Sequence, residues 1–260
     1  THTLKVRYWV KDVATGIEGT ITKTLSSATY DQNKYYNITA NLDVKNYDGD
    51  HYYMWDAQQQ YWYGYEWTKH LASGVGQPTL NGNSSSNYPQ NSSDANNRWY
   101  HEGSGSPFNA TQSCASLPNV NEMTWYAAKG DPRWDADELW TTMGHLYKGG
   151  MWFKKKSQIS GYNSNTAYDG TDWRTTSKSK NWTPSRTLPS AADANNYFYL
   201  PALGYYFSGQ LIGVGGGGVY WSSSAFYWGS GDAIYLYFYS SGVYVRSRER
   251  YFGYRVGAFE

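Results

Sequence analysis

The sequence predicts an α+β fold, in which antiparallel sheets and two helices are preceded by a small antiparallel β unit. Three observations lead to this class. Apolar and polar residues alternate near the N-terminus, two helix-capping patterns occur in the middle of the chain, and strict alternation returns in the last third. A chain of 260 residues is also long enough to bury a large core.

The first forty-odd residues are predicted to form the small β unit. Residues 4–10 and 36–44 alternate apolar with polar side chains, and a Thr-rich strand is predicted between them at 19–25. Because a few strands cannot form a stable domain alone, we expect this unit to dock on another part of the chain. Because the composition turns strongly aromatic after Asn46, we expect residues 1–45 to be a separate unit and residues 46–260 to form the ligand-binding domain.

Two helices are predicted from capping-box spacings. Asn119 and Glu122 have this spacing ahead of Met123 to Lys129, which predicts a helix there that stops at Gly130. Asp135 and Glu138 repeat the spacing, which predicts a second helix that ends at Gly149.

Two glycine-rich segments are predicted to be irregular. Residues 74–105 are rich in Gly, Ser, Asn and Pro without any period, which indicates a long loop. Residues 213–218 are mostly glycine, but strand residues follow where a phosphate-binding loop requires a helix. We therefore expect a turn there and no nucleotide site.

The last third of the chain carries the main functional signal. Residues 233–239 alternate strictly, with apolar residues on one face and tyrosines on the other. After a turn at 240–242 the alternation resumes, so a hairpin would set two outward stripes side by side. The outward side chains would be Tyr235, Tyr237, Tyr239, Tyr244, Arg246 and Arg248. The alternative is that a second sheet covers this face.

The composition favours a binding protein. The chain has 28 Tyr, 13 Trp and 8 Phe, and Tyr and Trp combine a large apolar body with a polar group that suits wet interfaces. Repeated aromatic residues also fill β-rich cores, which is the alternative explanation. A net charge of +1 gives no basic field for nucleic acid, and no apolar run is long enough to span a membrane.

No catalytic, cofactor or metal site is expected from the sequence. Neither a nucleophile with its base nor a paired-carboxylate motif is visible, and the five histidines are scattered without metal-ligand spacing. Cys114 is the only cysteine, so no disulfide and no thiolate zinc cluster can form within the chain. We therefore predict that the protein is not an enzyme. Abundant Asn, Ser, Thr and Gly, with few Lys and Glu, favour an extracellular bacterial protein.

The C-terminal motifs resemble those of a known family. Leu-Pro-Ala-Leu-Gly-Tyr from residue 200, Tyr-Trp-Ser-Ser-Ser from residue 220, and Arg250, Gly253 and Val256 are similar in order and spacing to bacterial and phage variable proteins diversified by retroelements. The resemblance runs from about residue 52 to the end and implies a C-type-lectin-like fold. It also implies that ligand-binding positions vary between copies. The implied positions are Phe226, Tyr227, Trp228, Tyr235, Tyr237, Tyr239, Tyr244, Arg246, Arg248, Tyr251 and Phe252.

A shorter resemblance lies in the N-terminal unit. Residues 33–38, Asn-Lys-Tyr-Tyr-Asn-Ile, are similar to the last strands of fimbrillin-type pilus subunits. Together the two resemblances imply an adhesin at a pilus tip or on a bacterial cell surface, in preference to a phage virion. Its partner would be a protein or glycan on another cell, and the N-terminal strands could contact pilus subunits. The alternatives are a carbohydrate-binding lectin, although the usual calcium motifs are absent, and a structural pilus subunit.

Overall fold

A computed structural model describes residues 1–38, 41–66, 87–103, 108–229, 231–257 and 259–260. The strands are β1 (Lys5–Lys11), β2 (Glu18–Thr24), β3 (Lys45–Tyr47), β4 (Tyr52–Tyr53), β5 (Arg133–Thr142), β6 (His145–Lys154), β7 (Lys180–Trp182), β8 (Tyr197–Pro201), β9 (Leu203–Phe207), β10 (Gln210–Val214), β11 (Gly217–Ala225), β12 (Asp232–Tyr239), β13 (Gly242–Glu249) and β14 (Tyr254–Arg255). The α-helix is α1 (Val120–Lys129), and two 3₁₀ turns cover Lys156–Gln158 and Ala194–Asn196.

The predicted α+β class is wrong. Strands account for 38% of the structure and helices for 7%, with one helix where two were expected. The fold is therefore a β-rich arrangement of several sheets, and it does not match the predicted C-type-lectin-like fold with two helices. None of the helices in the described residues is long and apolar enough to cross a membrane.

The predicted second helix is instead the β5–β6 hairpin. Its turn lies at Met143 and Gly144, which both have positive φ, as the favoured two-residue hairpin turn requires. The carboxylate of Asp135 does accept two backbone N–H groups, from Asp137 and Glu138, but it does so at a bulge in β5. The same local hydrogen bonding can cap a helix or support a bulge, so the spacing alone was ambiguous.

The strands form three sheets. An eight-stranded sheet has the order β10-β9-β11-β12-β13-β7, and β14 joins it by pairing with β11 and β4. A four-stranded sheet has the order β3-β5-β6-β8, and β1 and β2 form a two-stranded sheet. Most of these pairs are antiparallel, but β9 and β14 both pair with β11 in parallel, and β3 pairs with β5 in parallel.

The main core lies between α1, the four-stranded sheet and one face of the eight-stranded sheet. Its largest buried side chains include Phe153 from β6 and Phe238 from β12, together with Met123 and Tyr126 from α1. The predicted capping box of α1 is confirmed, with both Asn119 hydrogen bonds formed. The aliphatic face of the β12–β13 hairpin is thus turned to the core, as the alternation predicted.

The N-terminal hairpin docks on the tip of the β5–β6 hairpin. The carboxylate of Asp12 accepts a hydrogen bond from the backbone N–H of Leu146 and lies 3.1 Å from Nδ1 of His145. The hydroxyl of Thr15 donates to the carbonyl of Leu146. Strands β1 and β2 confirm the first two predicted strands. No strand forms in the described residues of 36–44, because an Asn41 side-chain turn places Asp43 at positive φ. Thr39 and Ala40 lie outside the described residues, as do residues 74–86, 104 and 105 of the predicted loop. In its described part, 87–103, no helix or strand forms.

Candidate functional site

The β12–β13 hairpin places the predicted tyrosine stripe on the side of the sheet opposite the main core. The register sets Tyr237 opposite Tyr244 and Tyr235 opposite Arg246. Directly opposed residues point to the same side of a sheet, so these four side chains share one face. Phe238, between the tyrosines, is fully buried on the other face.

Three tyrosines form a stack at the turn of this hairpin. The rings of Tyr237, Tyr239 and Tyr244 lie 5.4 to 5.7 Å apart, and all three pairs are stacked. The hydroxyls of Tyr239 and Tyr244 are hydrogen-bonded at 2.8 Å. The guanidinium of Arg246 lies 4.2 Å from the centre of the Tyr244 ring, within cation–π distance. The stack therefore presents flat rings, two hydroxyls and one cation together.

Glycines below the stack make room for its rings. A Cβ atom at Gly242 would lie 2.5 Å from Cε2 of Tyr244, and one at Gly217 would lie 2.9 Å from Cε2 of Tyr237. Both glycines stand on strands beside the rings that cover them. Any larger residue at Gly242 would push the Tyr244 ring from its position.

The other half of this face is built over a second, smaller aromatic core. The fully buried Trp221 packs against Tyr254 with ring centres 4.2 Å apart, and Tyr235 packs against Tyr254 at 5.1 Å. Phe252 belongs to this buried layer, with 4% of its surface exposed. The expectation that Phe252 is an outward ligand-binding residue is therefore wrong. Instead it supports Arg248, whose guanidinium lies 4.8 Å from its ring centre.

Two residues of the face were missed by the sequence reasoning. Tyr205 and Phe207 are on β9, and the Phe207 ring stacks on Phe252 at 4.7 Å. Their alternation with the buried Tyr206 was a possible signal, but nothing local showed that β9 would lie beside β11. We use the name aromatic face for the partly exposed and exposed side chains Tyr205, Phe207, Tyr235, Tyr237, Tyr239, Tyr244, Arg246, Arg248 and Tyr251.

The remaining predicted positions lie in the loop between β11 and β12. Tyr227 and Trp228 pack edge to face at 5.3 Å, and Trp228 is 73% exposed. Phe226 is half-buried and packs against the main core. Among the described residues, no ring contact joins Trp228 to the tyrosine stack, which lies at the opposite end of β12.

The chemistry of the aromatic face suits binding. Burial raises the pKa of Tyr235 and of Tyr237, so both keep their protons at neutral pH. Burial also raises the pKa of the Cys114 thiol beneath the face, which makes this sulfur unreactive. No group of three or more His, Cys, Asp and Glu side chains in the described residues could hold a metal ion. Tyr and Arg, which supply the rings, hydroxyls and guanidinium groups of this face, are among the residues that concentrate binding energy at protein interfaces.

The tyrosine pair should titrate unevenly. The hydrogen bond from Tyr244 stabilises the phenolate of Tyr239 and lowers its pKa, while the same bond raises the pKa of Tyr244. As the pH rises, we expect Tyr239 to ionise below the usual pKa of 10 and Tyr244 to ionise above it. Tyrosine ring NMR signals followed through an alkaline titration would measure both pKa values.

Tyr244→Phe is the matched test of this coupling. The substitution removes the Tyr244 hydroxyl that hydrogen-bonds to Tyr239 but keeps the ring, so the pKa of Tyr239 should rise toward its usual value. Gly242→Ala should have a similar effect because it displaces the Tyr244 ring. An unchanged Tyr239 titration in both variants would show that the hydroxyls do not form this hydrogen bond in solution.

Comparisons of the chain with protein families, with curated proteins and with solved structures found no match.

Proposed function

We propose that the protein is a non-enzymatic surface adhesin or receptor-binding protein whose aromatic face binds a macromolecular partner. The observation that carries the proposal is the partly exposed stack of Tyr237, Tyr239 and Tyr244 beside Arg246, on the side of the sheet opposite the main core. Rigid aromatic rings lose little conformational entropy on binding, and the neighbouring hydroxyls can adapt their hydrogen bonds to the partner.

The construction of the face also favours this role. Most of its residues stand on β9, β12 and β13, and its side chains are supported by the buried layer of Trp221, Phe252 and Tyr254. The rings are therefore held in position before a partner arrives, which lowers the cost of binding. Substitution of an outward residue on such a scaffold would change the binding surface and leave the buried layers intact.

This separation supports the proposed kinship with retroelement-diversified variable proteins. Tyr235, Tyr237, Tyr239, Tyr244 and Arg246 are all positions that the resemblance marks as variable, and all lie outside the main core. We extend the proposal to location and partners: an extracellular protein of a bacterial surface or pilus, which recognises a protein or glycan on another cell.

The test is an alanine panel on the aromatic face. The wild-type chain is screened against arrayed purified extracellular proteins and glycans, and the dissociation constant for each hit is then measured for single variants. Tyr237→Ala, at the centre of the stack, should weaken binding by about 2 kcal/mol, because central aromatic residues carry much of the interface energy. Arg246→Ala should also weaken binding.

Exposed residues elsewhere provide the matched control. Tyr35 is more exposed than any tyrosine of the stack, and the Lys154 to Lys156 run lies at the end of β6, so Tyr35→Ala and Lys156→Ala should bind as the wild type does. If the Tyr237 and Arg246 variants bind like the wild type while a control variant loses affinity, the binding site is elsewhere and the proposal fails.

A further inference from the structure

A separate cavity lies on the other side of the eight-stranded sheet. Its volume is about 430 Å³, and it is bounded by β3, β5, β6 and β8 and by Tyr220 of β11. Tyr220 precedes Trp221 and therefore points away from the aromatic face. A volume of this size is at the low end of pockets that hold small molecules.

The walls of the cavity are aromatic. Tyr47, Trp140, Trp152 and Tyr199 all contribute to its lining, and the rings of Trp152 and Tyr199 are 4.9 Å apart. The indole N–H groups of both tryptophans already donate within the protein, that of Trp140 to the carbonyl of Gly149 and that of Trp152 to a carboxylate oxygen of Asp135. Trp140 is also fully buried and stacks on Tyr147, so the partly exposed Trp152 is the indole whose face and edge are offered to a ligand.

One polar group in this wall lacks a partner. The hydroxyl of Tyr199 is buried, and no hydrogen bond to it forms among the described residues. A buried hydroxyl left unpaired destabilises the folded state, so its presence calls for an explanation. Burial and the nearby carboxylates of Asp135 and Glu138 raise the pKa of Tyr199, so the group keeps its proton and can donate as well as accept.

The charges in the lining are balanced. Lys45 and Arg255 contribute two cations, and Glu138 and Glu260 contribute two carboxylates. Arg255 already pairs with Asp48, and Glu260 pairs with Lys155. With no excess of either sign, the cavity favours an uncharged ligand over an anion or a cation.

We infer that this cavity binds an uncharged saccharide ring, through stacking on its aromatic walls and hydrogen bonds to the Tyr199 hydroxyl and the Glu138 carboxylate. A sugar ring has apolar C–H faces that suit Trp and Tyr rings, and its hydroxyls both donate and accept hydrogen bonds. An apolar ligand would leave Tyr199 unpaired, and a charged one would face carboxylates and cations together. The inference concerns a second site and does not depend on the aromatic face.

The experiment uses the whole chain and named probes. Glucose, galactose, mannose and N-acetylglucosamine, each at millimolar concentration, are titrated while the indole NMR signals of the protein are followed, with glucuronate as the anionic comparison. At least one neutral sugar should shift the Trp152 signal in a saturable manner. Tyr199→Phe should weaken its binding about tenfold, because one ligand hydrogen bond is lost. The same variant should melt at the same temperature or higher, since an unpaired hydroxyl has been removed.

Two further variants make the outcome decisive. Glu138→Gln, at the solvent-exposed rim, gives a second test if Tyr199→Phe folds poorly, and it should also weaken binding. Tyr239→Phe, on the aromatic face, should leave the sugar titration unchanged, so this experiment and the alanine panel can fail independently. The inference is overturned if no neutral sugar shifts the Trp152 signal, if only glucuronate does, or if binding persists unchanged in both cavity variants.

Discussion

Phe238→Ala is expected to lower the free energy of unfolding by about 3–5 kcal/mol, as is typical when a large buried aromatic side chain is truncated. Phe238 is fully buried, and its ring packs 5.8 Å from those of both Phe153 and Tyr220. It also covers Gly218 so closely that a Cβ atom there would overlap the ring. Few atoms can move in to fill the space, so a cavity would remain. Chemical denaturation measures the loss.

Tyr239→Ala is the matched control, one residue along the same strand. Its ring lies on the opposite face, partly exposed, and stacks on the other two tyrosines of the stack, so the loss of stability should be much smaller. Comparable destabilisation by both variants would mean that the tyrosine stack is as tightly packed as the core. The aromatic face would then be a structural layer, and its proposed binding role would lose its physical basis.

The face of the β12–β13 hairpin could be predicted because the signal is local. A period of two assigns each residue to one side, and the two-residue turn at Ser240 and Ser241 leaves little freedom in the register. The burial of Phe252 could not be found in this way. It depends on the parallel pairing of β9 and of β14 with β11. Neither pair is joined by a tight turn that the local sequence could indicate.

The error over the second helix has a related cause. The side chain of Asp135 satisfies backbone N–H groups at the start of a helix or at a bulge with equal ease. Tertiary contacts favour the strand over the helix, because Trp140 stacks on Tyr147 across the hairpin and β6 also pairs with β8. The aromatic and β-branched residues of β5 were a sign of strand propensity, but their partners were not visible in the sequence.

A buried carboxylate supports the layer below the aromatic face. Asp56 is fully buried with φ of 53°, and its two oxygens accept the backbone N–H groups of Thr111, Gln112 and Cys114 at 2.7 to 3.0 Å. These bonds shape the loop that carries Cys114 into the core that contains Trp221. Asp56 thus connects the segment after β4 to the support of the binding surface.

Asp56→Ala is expected to destabilise the fold by roughly 3–5 kcal/mol. Hydrogen bonds to a charged acceptor contribute about 1.5–3 kcal/mol each and are not additive within one network, and their loss would leave three N–H groups without an acceptor. Alanine also tolerates the left-handed backbone at this position poorly. The midpoint of urea unfolding measures the loss of stability, and the indole signal of Trp221 should report a change in its surroundings.

Asp56→Asn separates the contributions of the side chain and the backbone. Asparagine tolerates positive φ and keeps one carbonyl oxygen, which can still accept from Gln112 and Cys114. Its amide nitrogen would face the N–H of Thr111, so one bond is replaced by a repulsive contact. Its stability should therefore fall between those of the wild type and the alanine variant. If both variants unfold at the wild-type urea concentration, the Asp56 network does not stabilise the loop beneath the aromatic face.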